Sequence, residues 1–147
     1  MNKEQTLESI QKARKAHQAQ MVKILALLNG IKPENPTAVS KTKCEFGMWL
    51  YEEDNHVKSI LGAQFYTKLE TLHAKWHLEY SRIFEMFFKD TKKGFFSKIV
   101  GSSKINEMEV DKAKLYYSEL SATTAELLKA LASSERRVSA LNESVFY

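Results

Sequence analysis

Hydrophobic positions along the chain recur at steps of three and four residues almost throughout, and no stretch sustains the alternation of a half-buried strand. The pattern predicts a first helix from about Gln5 to Asn29, with Leu7, Ile10, Ala13, His17, Met21, Ile24 and Leu28 on its inward stripe. Gly30 stands where a helix C-terminal glycine belongs, and Pro33 and Pro36 keep the next stretch from continuing the helix. A loop with Asn35, Thr37 and Ser40 leads into a short second helix, Thr42 to Tyr51, which ends at the polar cluster Glu52-Glu53-Asp54-Asn55. Further helix begins near Val57, with a break around Gly62.

The strongest periodic signal runs from about Gln64 to Lys89, where Phe65, Leu69, Leu72, His73, Trp76, Tyr80, Ile83, Phe84 and Phe87 repeat at helical spacing. A connector over 90–104 precedes a last helix, about Ile105 to Asn142. Leu120, Thr124, Leu127, Leu131, Ser134, Val138 and Leu141 form a near-heptad seam there, with two polar lapses. The predicted fold is all-α: an antiparallel bundle of four to five helices in a single domain over 1–147, its motif-bearing core over 7–89.

Composition narrows the picture. The chain has 147 residues, the size of one domain with a substantial core, and its five glycines and two prolines are too few for a disordered or turn-dense protein. The longest uncharged apolar run is Ile24 to Leu28, too short to cross a bilayer, and the N-terminus lacks the apolar stretch of a secretory signal. A single cysteine excludes an internal disulfide framework and suits a reducing compartment, so a cytoplasmic location is expected. The net charge of +4 is interspersed. Its densest stretch, Lys89 to Lys104, reads as a solvated connector anchored by Phe95, Phe96 and Ile99, and no nucleic-acid partner is expected.

Candidate chemistry lies with the four histidines, at 17, 56, 73 and 77, and the lone Cys44. His73 and His77 stand four apart on the long helix, so their imidazoles share one face and can reach one ion. The intervening residues, Ala74-Lys75-Trp76, lack the glutamate that activates water in zinc proteases. His17 falls on the inward stripe of the first helix, whereas His56 lies in a polar, turn-like stretch. Cys44 opens the aromatic helix near its positive end, which favours the thiolate. One thiolate and three imidazoles make a complete tetrahedral shell for zinc, closed against hydrolysis. From the residues alone two readings stand: histidines satisfied by protein partners with the cysteine as core filler, or a single zinc site at His17, Cys44, His73 and His77. A metallohydrolase using His17, His73 and His77 would need a nearby base, and Glu70 and Glu79 are the nearest carboxylates in sequence.

The segment Cys44-Glu45-Phe46-Gly47-Met48-Trp49-Leu50-Tyr51 resembles the signature of the bacterial chemoreceptor zinc-binding domain: Cys, any residue, Phe or Leu, Gly, usually a basic residue, then an aromatic. In that family a His on the first helix precedes the signature and a His pair four apart follows it. This chain supplies His17, Cys44, then His73 and His77, in that order. Met48 departs from the usual basic residue, and Gln20 and Met21 stand where an aromatic is frequent. The resemblance implies a cytoplasmic, usually homodimeric sensor, not an enzyme, holding one zinc per protomer through those four residues. It further implies tuning of a chemotaxis receptor or a diguanylate cyclase in response to zinc, and to oxidants such as hypochlorous acid through a redox-sensing Cys44. The output module is expected either in the same chain, if this sequence is a piece of something longer, or in a separate protein. The aromatic residues Phe65, Tyr66, Trp76, Tyr80, Phe84, Phe87 and Phe88 occupy more than one helix face, which likewise suggests a homodimer. The remaining reading is a structural adaptor with a fixed zinc staple.

Overall fold

The computed structural model describes residues 1–31, 38–88 and 107–146. Five helices are present there: α1 (Lys3–Leu28), α2 (Glu45–Tyr51), α3 (Val57–Leu61), α4 (Ala63–Phe88) and α5 (Glu107–Ala140). Short 3-10 turns cover Glu53–Asn55 and Glu143–Val145, and no strand occurs among the described residues. The all-α bundle read from the sequence is the fold observed. The predicted connector over 90–104, and with it Pro33, Pro36, Asn35, Thr37 and Ile105, lies outside the described residues.

Local chemistry sets the helix ends. Asn2 and Gln5 exchange side-chain and backbone hydrogen bonds of 2.8 and 2.9 Å, a reciprocal cap that starts α1. At its other end Gly30 takes φ +86°, and the Ile31 amide turns back to the Ala26 carbonyl at 2.9 Å. A second glycine of φ +86°, Gly62, separates α3 from α4. The second helix begins later than its apolar pattern suggests. Thr42 and Lys43 form a turn, because the Cys44 sulfur caps the helix by accepting from the Gly47 amide at 3.2 Å.

Three long helices form the frame. Lys3 Nζ donates to the carbonyls of Ser139 and Leu141, and Arg14 pairs with Glu135, so α1 and α5 run antiparallel. Trp76 bonds Thr124, Arg82 faces Glu119 and the Arg137 guanidinium lies over Phe65, so α4 and α5 also run antiparallel. It follows that α1 and α4 are parallel, and they meet through large side chains: His17 against Trp76, and Gln20 donating to Tyr80. Ile10, Leu61, Leu69, Trp76, Ile83, Leu120, Leu127, Leu131 and Val138 are fully buried in the core. On α1, Leu7 and Leu28 are only half-buried, whereas Thr6, Gln20 and Leu27 are buried. The described aromatics of α4 are buried or half-buried within the one chain. No described helix is long and apolar enough to cross a membrane.

Candidate metal centre

The centre is assembled from three elements. His17 comes from the middle of α1, His73 and His77 from successive turns of α4, and Cys44 from the start of α2. All four are buried, His73 completely. The ring centroids lie 5.4 Å apart for His17 and His73, 4.6 Å for His73 and His77, and 6.1 Å for His17 and His77. Each ring offers a nitrogen within 4.8 Å of those of the other two, and this is the cluster of potential metal ligands among the described residues. His56 is exposed, in a left-handed turn before α3, and takes no part in it.

Hydrogen bonding fixes which nitrogen faces inward. His17 Nδ1 lies 2.7 Å from the Ala13 carbonyl, and His77 Nδ1 lies 2.9 Å from the Val39 carbonyl. A carbonyl oxygen only accepts, so both rings carry their proton on Nδ1 and present a lone pair at Nε2. Those two Nε2 atoms, together with His73 Nδ1, are buried and have no hydrogen-bond partner. On the remaining edge of His73, Nε2 is 3.3 Å from Cys44 Sγ. The sulfur also sits 3.2 Å from the Gly47 amide and 3.5 Å from the Lys41 carbonyl.

Burial governs the charge state of the cluster. It drives His73 down to about 2, with the neighbouring His77, His17 and Lys41 opposing its charge as well. His77 falls to about 4 by burial, against a smaller contrary effect of the Val39 carbonyl, and His17 is lowered by burial against the Ala13 carbonyl. The three rings are therefore neutral at pH 7, the form that ligates metal. Burial pushes the Cys44 thiol up, and the amides at the start of α2 pull in the opposite direction without prevailing. The helix-end effect expected from the sequence is present but smaller than the cost of burying the thiolate.

Buried lone pairs without a partner, as at His17 Nε2 and His77 Nε2, cost about 1–3 kcal/mol each, and a cation between the rings would compensate them. The donors fit zinc: neutral imidazoles and a sulfur, with carbonyl groups behind two of the rings fixing their tautomer and orientation. His73 uses its Nε2 for the 3.3 Å hydrogen bond with Cys44 Sγ and keeps Nδ1 without a partner, so its tautomer, unlike those of His17 and His77, is not set by a carbonyl. His17, His73 and His77 could hold an ion; Cys44 lies against His73 but is not among the residues whose donor atoms all fall within 4.8 Å of one another.

Aromatic rings pack around the cluster. Phe46 packs edge-on to His73 at 4.8 Å, and Trp76 packs edge-on to His17 at 4.6 Å and His77 at 5.0 Å. Neither nearby carboxylate points its charge at the cluster. Glu70 Oε1 accepts from Lys41 and Tyr51, and the buried Glu79 accepts from Thr123 on α5. The Ala13 and Val39 carbonyls carry no side-chain signal and were invisible in the sequence. Trp76 was visible only as one more member of the α4 stripe.

Residues 17–84 match the family described as the chemoreceptor zinc-binding domain. No curated protein and no solved structure matches the chain.

Proposed function

We propose, on the premise that this chain carries a chemoreceptor zinc-binding domain over residues 17–84, that it is a zinc-binding regulatory module holding one ion through His17, Cys44, His73 and His77. The observation that carries the ligand set is the cluster of buried imidazole nitrogens without partners, two of them with their tautomer fixed by backbone carbonyls, beside the one cysteine. Zinc would supply the positive charge that these lone pairs lack. The protein's own part is to hold the rings neutral and oriented, to pack Phe46 and Trp76 around them, and to bring the sulfur up on a separate short arm. Such an arm suits sensing, because one ligand can leave while α1 and α4 keep theirs. The engagement of Glu70 and Glu79 elsewhere in the fold supports a non-enzymatic role.

In this reading a change of zinc occupancy, or oxidation of Cys44 by a small oxidant such as hypochlorous acid, shifts α2 and passes through Trp76 to α5. The output is a cytoplasmic chemotaxis receptor or diguanylate cyclase, in the same chain or a separate one, and the module works as a homodimer. The exposed apolar residues of the long helices, Val22 and Leu25 on α1, Leu78 on α4, and Met108 and Leu115 on α5, are available for contact with a second copy. A fixed zinc staple is the competing reading. One experiment separates them: zinc content and Cys44 oxidation measured across a buffered zinc series, with and without hypochlorous acid. A sensor shows occupancy that changes within cellular free-zinc levels, a staple stays full. Cys44→Ala and His77→Ala should lose zinc while His56→Ala retains it, and full zinc in Cys44→Ala with unchanged affinity would remove the cysteine from the ligand set.

A further inference from the structure

Outside the cluster, one carboxylate is tied to both ends of the segment that carries the cysteine. Glu70 lies on α4, three residues before His73. Its Oε1 accepts from Lys41 Nζ at 2.6 Å and from the Tyr51 hydroxyl at 2.8 Å, and the same ammonium sits 5.2 Å from the centre of the Tyr51 ring. Lys41 opens the turn before Cys44, and Tyr51 is the last residue of α2. A single oxygen atom on α4 therefore grips the Cys44 arm at its beginning and at its end.

The grip on Lys41 is transmitted to the sulfur. The Lys41 carbonyl lies 3.5 Å from Cys44 Sγ and fills the place a side chain at position 47 would take. The turn around the sulfur is thus built by the backbone of the residue whose ammonium Glu70 holds. At the other end the Tyr51 ring lies 6.4 Å from the His73 ring, so the same bond keeps α2 against the helix that bears two of the histidines. Hydrogen bonds that involve an ionised partner are shorter and stronger than neutral ones, and here both converge on a half-buried carboxylate. The arm is held besides by the 3.3 Å contact of Cys44 Sγ with His73 Nε2, by the Trp49 indole N–H donating to Met1 Sδ at 3.0 Å, and by the burial of Phe46, Trp49 and Leu50.

We infer that Glu70 is a positioning residue: a latch that fastens the Cys44 arm to α4 and sets how readily the thiol leaves its place beside His73. The inference rests on the reading of Cys44 as a zinc ligand for its consequence, but the latch itself is a property of the metal-free fold as well. In a sensor built on departure of one ligand, the latch fixes the threshold. A weakened latch makes the arm open sooner under chelation or thiol attack, with the histidines still in place.

The test compares the full chain with Glu70→Gln, which keeps the shape and removes the charge, and with the milder Tyr51→Phe. Amide hydrogen exchange of the metal-free proteins should show residues 41–51 exchanging about tenfold faster in Glu70→Gln, with α5 unchanged. In the zinc-loaded proteins, alkylation of Cys44 should accelerate by about the same factor. The cobalt-substituted proteins should lose their thiolate-to-metal charge-transfer band to a chelator sooner. In a Lys41→Met/Tyr51→Phe background Glu70→Gln should add nothing, since its partners are gone. Unchanged exchange and alkylation would overturn the latch while leaving the zinc ligands standing. Acceleration spread equally over α5, or persisting in full without Lys41 and Tyr51, would reduce Glu70 to a general contributor to stability and overturn it too. Should the wild-type chain bind no zinc, the proposed function fails, and exchange in the metal-free protein still decides the latch.

Discussion

At the scale of single residues, the decisive constraint around the cysteine is an absent side chain. A Cβ at position 47 would overlap the Lys41 carbonyl and come within 3.3 Å of Cys44 Sγ. Glycine is therefore required there by close approach, since α2 is helical at that position. Gly47→Ala must push the Lys41 turn away from the sulfur, an overpacking strain of about 1–3 kcal/mol. Because the strain falls on the arm and not on the three long helices, far-UV circular dichroism should be kept. Zinc affinity, read by competition with a chelator, should fall about tenfold or more. Met48, one residue on, is 56% exposed, and Met48→Ala should leave affinity unchanged. Equal affinities for the two variants would show that the turn does not control the sulfur. The exposure of Met48 also fits its departure from the usual basic residue of the signature, because nothing in the site depends on it.

At the scale of elements, α4 and α5 are joined by two buried polar bonds, Thr123 to Glu79 and Trp76 to Thr124, of which the second lies on the predicted seam. The Trp76 indole N–H donates to the Thr124 hydroxyl at 2.8 Å, and that hydroxyl donates on to the Leu120 carbonyl at 2.7 Å. Thr124 was one of two polar lapses in the predicted seam, and Ser134 was the other. Ser134 donates only to the Ala130 carbonyl of its own helix, at 2.9 Å. The two lapses should therefore behave differently. Thr124→Val leaves a fully buried indole N–H without an acceptor and should cost about 1–3 kcal/mol in urea denaturation, whereas Ser134→Ala should cost well under that. Similar losses would mean that the bond to Trp76 does not fasten α5 to the metal-bearing helix. The elements themselves were legible because amphipathic spacing is a local property, and so was the chemistry of His17, His73 and His77, which share the inward faces of their helices. Orientation and partners were not. The parallel course of α1 and α4, the Ala13 and Val39 carbonyls and the Glu70 latch all depend on residues far apart in sequence. Burial of Gln20, which a hydrophobic stripe skips, follows from its bond to Tyr80.

At the scale of the whole molecule, the buried histidines couple stability to pH. Their folded-state values lie below the ordinary 6.5: about 2 for His73, about 4 for His77, and lowered for His17, in each case chiefly through burial. The unfolded chain takes up these protons once the pH falls below about 6.5, while the folded chain refuses them until far lower. Stability is accordingly complete above 6.5 and lost as the pH falls from there toward the folded values. The slope from each such group approaches about 1.4 kcal/mol per pH unit. In metal-free protein, chemical denaturation between pH 7.5 and 5.5 should therefore show a midpoint that is level at the upper end and declines below 6.5. Glu70 adds little to this window, since it titrates below its usual range, held there first by Lys41. Zinc bound to the folded state alone adds RT ln(1 + [Zn]/Kd) to stability. Raising the free zinc should thus lift the whole curve and steepen its fall with acid, because protons now compete with the metal for the same nitrogens and for the thiol. A metal-free midpoint that stays level down to pH 5.5 would show that the rings accept protons in the folded state. They would then not be the dry, neutral set that the site requires.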